Sequence, residues 1–318
     1  MYWRGKYLLQ RSLALLPSNL GASINHRLSV NFGGLRIPRF YAIHNTLAMC
    51  SLLRTLGQDA RDHTFVELGT GWTGASAMTL LGLSAKEVYS FDLYRHLDQA
   101  LVEVALKTLA DLCPDKSKTF PFPCNLDAEG ARLDISKIDL NRFQYFAPHD
   151  ARTTGLESNT IDCYFSQAVL EHVPKTIIEE ILAESYRIVK PGGLCYHYIQ
   201  PTMHAAWVDS KATGIDYLTC EDWSWRVFYE NDIAHECRLR GVDHLALIRN
   251  AGFEIVGEWH TVDQKALAAL PGKRLAKRFR SYSDEEVCTD YIWIVGRKPA
   301  RLDEAGDGHS GSAIAQST

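Results

Sequence analysis

From residue 63 onward, short apolar strands alternate with helical stretches, and this alternation restricts the possible folds more than any other feature. The strand-like runs are HTFVEL, EVYSFDL, FQYFA, TIDCYFS and GLCYHYI, and the helical stretches are GASAMTLLGL, HLDQALVEVALKTLADLC and TIIEEILAESYRIVK. Strands with nearly all-apolar interiors are buried on both faces, as parallel strands joined by crossover helices are. The pattern predicts an α/β fold with a parallel sheet covered on both faces. We expect Pro191, Gly192 and Gly193 to close the last of these helices.

The two ends of the chain depart from this alternation. Two apolar runs, FEIVGEW and TDYIWIVGRKP, follow the helical GVDHLALIRNAG and are separated by a long excursion, so the sheet should finish differently from a simple doubly wound one. Helical periodicity over 7–16 and 40–56 predicts an N-terminal helical extension, residues 1–60. The main domain is then 61–299 with a cap-like insertion at about 201–240, and the small, polar tail 300–318 is expected to be disordered.

Composition excludes several classes of protein. The chain has 318 residues, 46% of them hydrophobic, and a formal net charge of −4, which gives no general reason to expect a nucleic acid partner. Eight scattered cysteines form no C-x-x-C pair, which indicates a reducing, cytoplasmic compartment and no zinc site. No His, Asp or Glu group has convincing metal-ligand spacing, so we expect no metal, although cation-assisted O-methylation stays open.

A glycine-rich turn follows the first apolar run. Gly69, Gly71 and Gly74 form a literal G-x-G-x-x-G, which lets the backbone turn tightly and approach a ligand at a helix N-terminus. Asp92 ends the next strand, at about the distance expected for an acid that bonds ribose hydroxyls, so NAD is allowed. Glu67 changes the balance, because a carboxylate at that strand end suits a positively charged ligand group and would repel a pyrophosphate.

Five motifs resemble those of the class I S-adenosylmethionine-dependent methyltransferases of the type 11 kind. In chain order they are VELGTGWTG, VYSFDL, APHDAR, IDCYFSQAVLEHV and ESYRIVKPGG, and together they cover residues 63–200. The resemblance implies a Rossmann-like, seven-stranded, mostly parallel sheet with an antiparallel closing strand. It also implies S-adenosyl-L-methionine as cofactor, with contacts at Glu67, Gly69, Thr70, Gly71, Trp72, Asp92, Leu93, Asp150, Ala151 and Gln167. Asp150 would contact the adenine amino group and Asp92 the ribose.

Two departures from the family pattern concern the turn. The third family glycine usually falls one position earlier, where this chain has Thr73, and Trp72 is bulky for a turn that a cofactor approaches. A finer similarity links ELGTGW and LLGLSAKEVYSFDLYRHL to a subgroup associated with sugar and polysaccharide biosynthesis. The hypothesis is therefore methyl transfer to a small-molecule or sugar-containing acceptor, favouring oxygen.

Methyl transfer to a hydroxyl needs an aligned acceptor and a base, and histidine is the natural base near neutral pH. His204, just past the fifth strand, and His172, within LEHV, are the candidates, each with a structural role as the alternative. His197 alternates with tyrosines inside a strand and is expected in the core. Four aromatic residues of the insertion are expected either to stack on an acceptor or to pack the insertion onto the sheet: Trp207, Trp223, Trp225 and Tyr229.

Other interpretations stay open. The same turn could serve an NAD-dependent oxidoreductase, or the chain could be a methyltransferase-like scaffold without turnover. Residues 1–16, an amphipathic stretch with interspersed Arg and Lys, and the basic run 273–280 could contact a membrane surface, although helix docking and a solvated face are the simpler readings.

Overall fold

The computed structural model describes residues 3–16, 24, 40–112, 114–207, 209–231 and 235–300. These residues form a seven-stranded sheet of order β3-β2-β1-β4-β5-β7-β6. The strands are β1 (Thr64–Leu68), β2 (Glu87–Phe91), β3 (Phe143–Phe146), β4 (Ile161–Gln167), β5 (Val189–Ile199), β6 (Glu254–Val262) and β7 (Thr289–Arg297). Strands β1 to β5 pair in parallel, whereas β7 is antiparallel to both β5 and β6. The expected Rossmann-like sheet with an antiparallel closing strand is confirmed.

Helices cover both faces of the sheet. In the described part of the chain they are α1 (Trp3–Ala14), α2 (Phe40–Thr55), α3 (Ala75–Gly82), α4 (Gln99–Ala110), α5 (Leu126–Arg132), α6 (Lys175–Ile188), α7 (Asp222–Phe228), α8 (Gly241–Asn250), α9 (Gln264–Ala269) and α10 (Asp284–Cys288). Helices α2 to α5 pack on one face, and α6 and α8 pack on the other. Within the described ranges, no helix combines the length and apolar character needed to cross a membrane.

The apolar strands serve two hydrophobic cores because successive side chains point to opposite faces. Phe65 packs with the core under α2 and α3, while the next residue, Val66, packs with the core under α6. Cys163 and Tyr164 on β4 are divided in the same way. This division explains why the central strands read as nearly continuous apolar runs rather than as alternating ones.

The predicted boundary between the sixth helix and the fifth strand was wrong. We expected Pro191, Gly192 and Gly193 to form a tight turn before β5, but they lie inside that strand, which begins at Val189 directly after α6. Gly192 N donates to the carbonyl oxygen of Lys298 at 2.8 Å, and Lys298 N donates to that of Gly193 at 2.9 Å. The segment is a bulge held by the chain beyond β7, and the pairing of β4 with β5 shifts register there.

The N-terminal region contributes to two different cores. Helix α2 packs Ile43 and Leu47, both fully buried, into the main core, so it forms part of the layer that covers the sheet. Helix α1 packs instead with residues of 203–225 and 266–288 in a third cluster, where Tyr7 meets Trp225 with ring centroids 5.1 Å apart. The segment 25–39 and the tail 301–318 lie outside the described residues, so the expected domain boundaries stay predictions.

Candidate active site

The turn after β1 holds three glycines with positive φ angles. Gly69 has φ +79°, Gly71 +67° and Gly74, which precedes α3, +59°, a region that side chains with a Cβ rarely adopt. A Cβ on Gly69 would lie 2.5 Å from a methyl carbon of Val169, whereas one on Gly71 would meet no atom within 4 Å. The turn is therefore packed against the protein at Gly69 and open to an approaching ligand at Gly71.

Glu67 lies next to this turn, near the carboxyl end of β1, and only 3% of its surface is exposed. The hydroxyl of Ser90 on β2 donates a hydrogen bond to its Oε2 at 2.8 Å. Burial raises the pKa of Glu67 to about 7. The hydrogen bonds from Ser90 and Ser76 lower the pKa by less than burial raises it, and no cation among the described residues lowers it further. A positively charged ligand group would therefore be the partner that stabilises the ionised carboxylate.

Asp92 follows β2 and faces the same turn. Burial raises its pKa to about 6, although a hydrogen bond from the Tyr145 hydroxyl and the backbone amides of Gly71 and Thr70 favour the charged form. The Tyr145 oxygen lies 3.1 Å from Asp92 Oδ2. The next residue, Leu93, is 58% exposed and offers an apolar surface beside the acid.

Two further predicted cofactor contacts lie close to these groups. The ring of Trp72, in the turn, packs against that of His96 with centroids 4.9 Å apart. Trp72 thus packs on the segment that follows β2. Thr70 is buried within the turn.

Asp150 lies in the loop after β3, as expected, but its carboxylate already has a partner. Arg152 Nη2 lies 2.6 Å from its Oδ2 and lowers the pKa of Asp150, and the same guanidinium contacts Glu180 at 2.8 Å. The amide of His149 donates to the Asp92 carbonyl oxygen at 2.9 Å, so the loop runs beside Asp92. An adenine amino group would have to share Asp150 with Arg152. Ala151 is buried next to it.

Helix α2 reaches the carboxyl ends of β4 and β5. Gln167, the last residue of β4, donates from Nε2 to the hydroxyl of Thr46 at 3.1 Å. Tyr41 is hydrogen-bonded to the Tyr198 hydroxyl, and Gln200 Nε2 donates to both hydroxyls, at 2.8 Å to Tyr198 and 3.2 Å to Tyr41. A connected polar group therefore covers the sheet edge where an acceptor would lie.

Glu171, His172 and His204 converge beside that group. One ligand atom from each lies within 4.8 Å of the others. Glu171 Oε2 and His204 Nε2 are both buried without a hydrogen-bond partner among the described residues. Burial raises the pKa of Glu171 to about 8 and lowers the pKa of both histidines, so the imidazoles are neutral at physiological pH. The two histidines predicted as base candidates are thus brought together.

Three other residues surround His204. Its backbone amide donates to Oε1 of buried Glu236 at 3.3 Å, and burial raises the pKa of that carboxyl group to about 7. The ammonium of Lys6 on α1 further lowers the pKa of His204 and of His172. Trp207 stacks on the His204 ring with centroids 4.3 Å apart, while 60% of the tryptophan stays exposed.

Comparison with known proteins identifies the domain. Residues 66–197, which span β1 to β5 with the turn and the LEHV segment, match the family model described as a methyltransferase domain. The chain carries a methyltransferase domain. The resemblance drawn from the five motifs is therefore confirmed, whereas the sugar-associated subgroup stays a prediction. No curated protein sequence matches the chain.

Solved structures similar to the chain include a [4+2]-cyclase, SpnF, at 14% identity and a TM-score of 0.44, with 81% of this chain and 80% of that chain covered. A methyltransferase of Mesorhizobium loti described as S-adenosylmethionine dependent has 12% identity and a TM-score of 0.41, and the match covers 80% of this chain and 100% of that chain. Phosphoethanolamine N-methyltransferase 2 of Haemonchus contortus has 14% identity and a TM-score of 0.49, and the match covers 89% of this chain and 58% of that chain.

S-adenosylmethionine is the cofactor of this methyltransferase domain, as the sequence predicts. The residues at the turn fit this cofactor. Glu67 is a buried carboxylate without a cationic partner among the described residues, Asp92 faces the turn, and the backbone at Gly71 is open. The choice of individual contact residues stays a prediction.

Sequence reasoning missed several residues that lie beside His172 and His204 or join α2 to the ends of β4 and β5. Glu171 lies next to predicted His172, and Gln200 directly follows a predicted strand, so both positions could have been proposed from strand ends. Tyr41, Lys6 and Glu236 carry no such signal, because they reach the site from distant helices and loops. His197, expected in the core, is fully buried and its Nδ1 is hydrogen-bonded to Ser166 at 2.8 Å.

The two surfaces considered for membrane contact differ. Helix α1 buries Tyr7, Gln10 and Leu13 and exposes Leu8 and Leu9. In the basic run, three cations are engaged within the chain: Lys273 with Asp216, Arg278 with Asp222 and Arg280 with Glu221. Contact with a membrane surface stays a prediction, and the α1 face agrees with it better than the basic run does.

Because Glu67 is buried, we expect the cofactor-free protein to lose stability as the pH rises from about 4.5 to 7. Its folded pKa, about 7, lies above the ordinary value of 4.5, so its stabilising contribution is complete below about pH 4.5 and is lost as the pH rises through 7. In this window, the difference in unfolding free energy between wild type and Glu67→Gln should change by up to about 1.4 kcal/mol per pH unit. Chemical denaturation across the window measures it.

The exposed Glu157 provides the control for this experiment. Glu157→Gln should follow the wild-type pH profile. Parallel profiles for wild type and Glu67→Gln would contradict the assignment of a raised pKa to this carboxyl group.

Proposed function

We propose that this protein is an S-adenosylmethionine-dependent methyltransferase that methylates an oxygen of a small-molecule or glycan-type acceptor. The observation that carries the proposal is the pair of buried carboxylates, Glu67 and Asp92, on either side of the open turn at Gly71. Two acids in these positions suit a ligand that has both an amino group and a ribose. A pyrophosphate at the same turn would meet repulsion instead.

Several of the predicted cofactor contacts have a defined part in the proposal. Glu67 faces the cationic amino end, Asp92 accepts hydrogen bonds from the ribose hydroxyls, and the backbone from Gly69 to Gly71 allows close approach. Leu93 and Ala151 provide apolar contact for the adenine. Gln167 marks the boundary between the cofactor and the acceptor, since its amide joins the end of β4 to α2.

The acceptor is proposed to lie between α2 and the segment after β5. When bound, S-adenosylmethionine supplies a methyl group that is activated by the positively charged sulfur, and the sulfur becomes that of a neutral thioether when the methyl group is transferred. The chain must align the acceptor, exclude water and remove the hydroxyl proton. The neutral imidazoles of His204 and His172 can receive that proton. Tyr41 and Gln200, which are hydrogen-bonded to each other, form the polar wall beside the proposed acceptor position.

The surroundings of His204 favour a hydroxyl-bearing ring as acceptor. Trp207 stacks on the imidazole and keeps 60% of its surface exposed, so its ring is available to a flat apolar face such as that of a sugar. Trp225, by contrast, is buried against Tyr7 and holds α1 in place. The insertion thus has two exposed tryptophans, Trp207 beside His204 and Trp223, and one, Trp225, that packs.

Calorimetry tests the proposal. We expect the wild-type chain to bind S-adenosylmethionine and S-adenosylhomocysteine and not NAD. Glu67→Gln should weaken both adenosyl ligands by about 10-fold or more, because it removes a buried charge that faces a cation. Glu157→Gln, on an exposed side chain, should bind as wild type does.

The other outcomes would contradict the proposal in distinct ways. Binding of NAD alone would favour an oxidoreductase. Tight binding of both adenosyl ligands, without methyl transfer to any of a broad panel of acceptors beginning with nucleotide sugars, would favour a scaffold without turnover.

A further inference from the structure

We propose that Glu171, His172 and His204 form a binding site for one divalent metal cation that prefers nitrogen and oxygen ligands, such as Zn²⁺. One ligand atom from each residue lies within 4.8 Å of the other two. A tetrahedral ion with bonds of about 2.1 Å separates its ligand atoms by roughly 3.4 Å. Closing the cluster around an ion therefore requires side-chain movements of little more than an ångström.

Two of the three ligand atoms lack a partner in the described structure. Glu171 Oε2 and His204 Nε2 are both buried and accept no hydrogen bond from any described residue. Buried polar atoms in proteins are nearly always satisfied. A cation between them would satisfy both atoms at once, with His204 already held by its stack on Trp207.

The remaining hydrogen bonds orient the ligand atoms. His172 Nδ1 is hydrogen-bonded to the carbonyl oxygen of His235 at 2.8 Å, which leaves Nε2 to ligate. Glu171 Oε1 accepts from the amide of Gln200 at 3.3 Å, which leaves Oε2. A histidine that donates its other nitrogen to a carbonyl is the usual arrangement around protein-bound metals.

Two other groups lie beside the proposed ligands. The backbone amide of His204 donates to Oε1 of Glu236 at 3.3 Å, and the ammonium of Lys6 on α1 lies close enough to interact with Glu236 and with both histidines. Glu236 is the carboxylate whose charge acts on Lys6, which leaves Glu171 for the metal. Lys6 is then the group that competes with the ion.

This inference deepens the proposed function and rests on it only in placing the cluster beside the acceptor. Three protein ligands leave a coordination position open, as catalytic zinc sites do. An acceptor hydroxyl in that position would lose its proton more readily because the cation stabilises the alkoxide. The two histidines would then act as ligands rather than as bases, the hydroxyl proton would pass to water, and the acceptor would be an oxygen nucleophile.

The test is metal binding by the full chain after treatment with a chelator. Zn²⁺ is titrated in competition with a chromophoric chelator, and Co²⁺ is added separately to record its visible absorption. We expect one ion per chain, a Co²⁺ spectrum typical of four- or five-coordination, and no competition from Mg²⁺, which prefers oxygen ligands. Glu171→Gln and His204→Gln should each weaken Zn²⁺ binding at least about 100-fold. His260→Gln, on an exposed histidine, should leave it unchanged.

Lys6→Met keeps the test decisive if the ligand variants fold poorly. Removal of the competing ammonium should tighten Zn²⁺ binding by about 10-fold. The proposal is overturned if wild type binds no stoichiometric Zn²⁺, or if Glu171→Gln and His204→Gln bind it as wild type does. Calorimetry with S-adenosylmethionine on the same samples separates the two proposals, since cofactor binding without metal binding contradicts only this one.

Discussion

Gly71→Ala is expected to weaken S-adenosylmethionine binding by about 30-fold or more in a protein that still folds. Gly71 has φ +67°, and a Cβ there meets no protein atom within 4 Å. The cost to folding is therefore the backbone strain alone, about 1–2 kcal/mol. The added methyl group projects into the open side of the turn, where the cofactor would approach, and a 30-fold loss corresponds to about 2 kcal/mol. Calorimetry and chemical denaturation measure the two effects separately.

Gly57→Ala is a closely matched control. Gly57 lies two residues after α2 with φ +85°, and a Cβ there also meets nothing within 4 Å, so the loss of stability should be similar while cofactor affinity is kept. Gly69→Ala should cost more stability than either, because its Cβ would lie 2.5 Å from Val169. If Gly71→Ala and Gly57→Ala bind S-adenosylmethionine equally well, the open side of the turn is not the cofactor side.

The sheet could be predicted from the sequence because its signal is local. A run such as TIDCYFS is apolar at successive positions, and only burial on both faces explains this, as the division of Cys163 and Tyr164 between two cores confirms. The glycine turn and the acids Glu67 and Asp92 are fixed by their positions at strand ends. The bulge at Pro191–Gly193 was missed, because it depends on pairing with Lys298, more than a hundred residues away.

The polar contacts between α2 and the ends of β4 and β5 could not be predicted in the same way. Tyr41 and Tyr198 are 157 residues apart, and Gln167 and Thr46 are 121 apart. Such contacts depend on how α2 crosses the sheet edge, and no short pattern encodes that crossing. The apolar periodicity of α2 predicts a helix but does not indicate which strand ends its polar residues reach.

Charge environments were equally inaccessible from the sequence. The DAR segment places Arg152 two residues after Asp150, but only the loop conformation turns the guanidinium onto the carboxylate. His172 and His204 were chosen as separate base candidates. Their convergence with Glu171 depends on the path of the insertion after β5, and it changes their expected chemistry from isolated bases to a potential ligand set.

Asp92→Asn is expected to weaken S-adenosylmethionine binding by about 100-fold without lowering the stability of the cofactor-free protein. The carboxylate is proposed to accept hydrogen bonds from two ribose hydroxyls, and bonds to a charged group contribute about 1.5–3 kcal/mol each. Its folded pKa, about 6, lies above the ordinary value of 3.8, so the ionised group destabilises the native state at neutral pH. An uncharged amide removes that penalty. Asp92→Asn should therefore lower cofactor affinity while it keeps or raises the unfolding free energy of the cofactor-free protein.

Asp98→Ala should give the reverse result. Asp98 is exposed and caps α4 by accepting a hydrogen bond from Leu101 N at 3.2 Å, so its loss should lower the unfolding free energy by about 1 kcal/mol. Cofactor affinity should not change, because the side chain serves the helix and not the turn. Calorimetry measures the cofactor affinity of both variants, and chemical denaturation measures their unfolding free energies. Equal cofactor affinity in Asp92→Asn and Asp98→Ala would remove Asp92 from the ribose site, since the two substitutions would then differ only in their effects on folding.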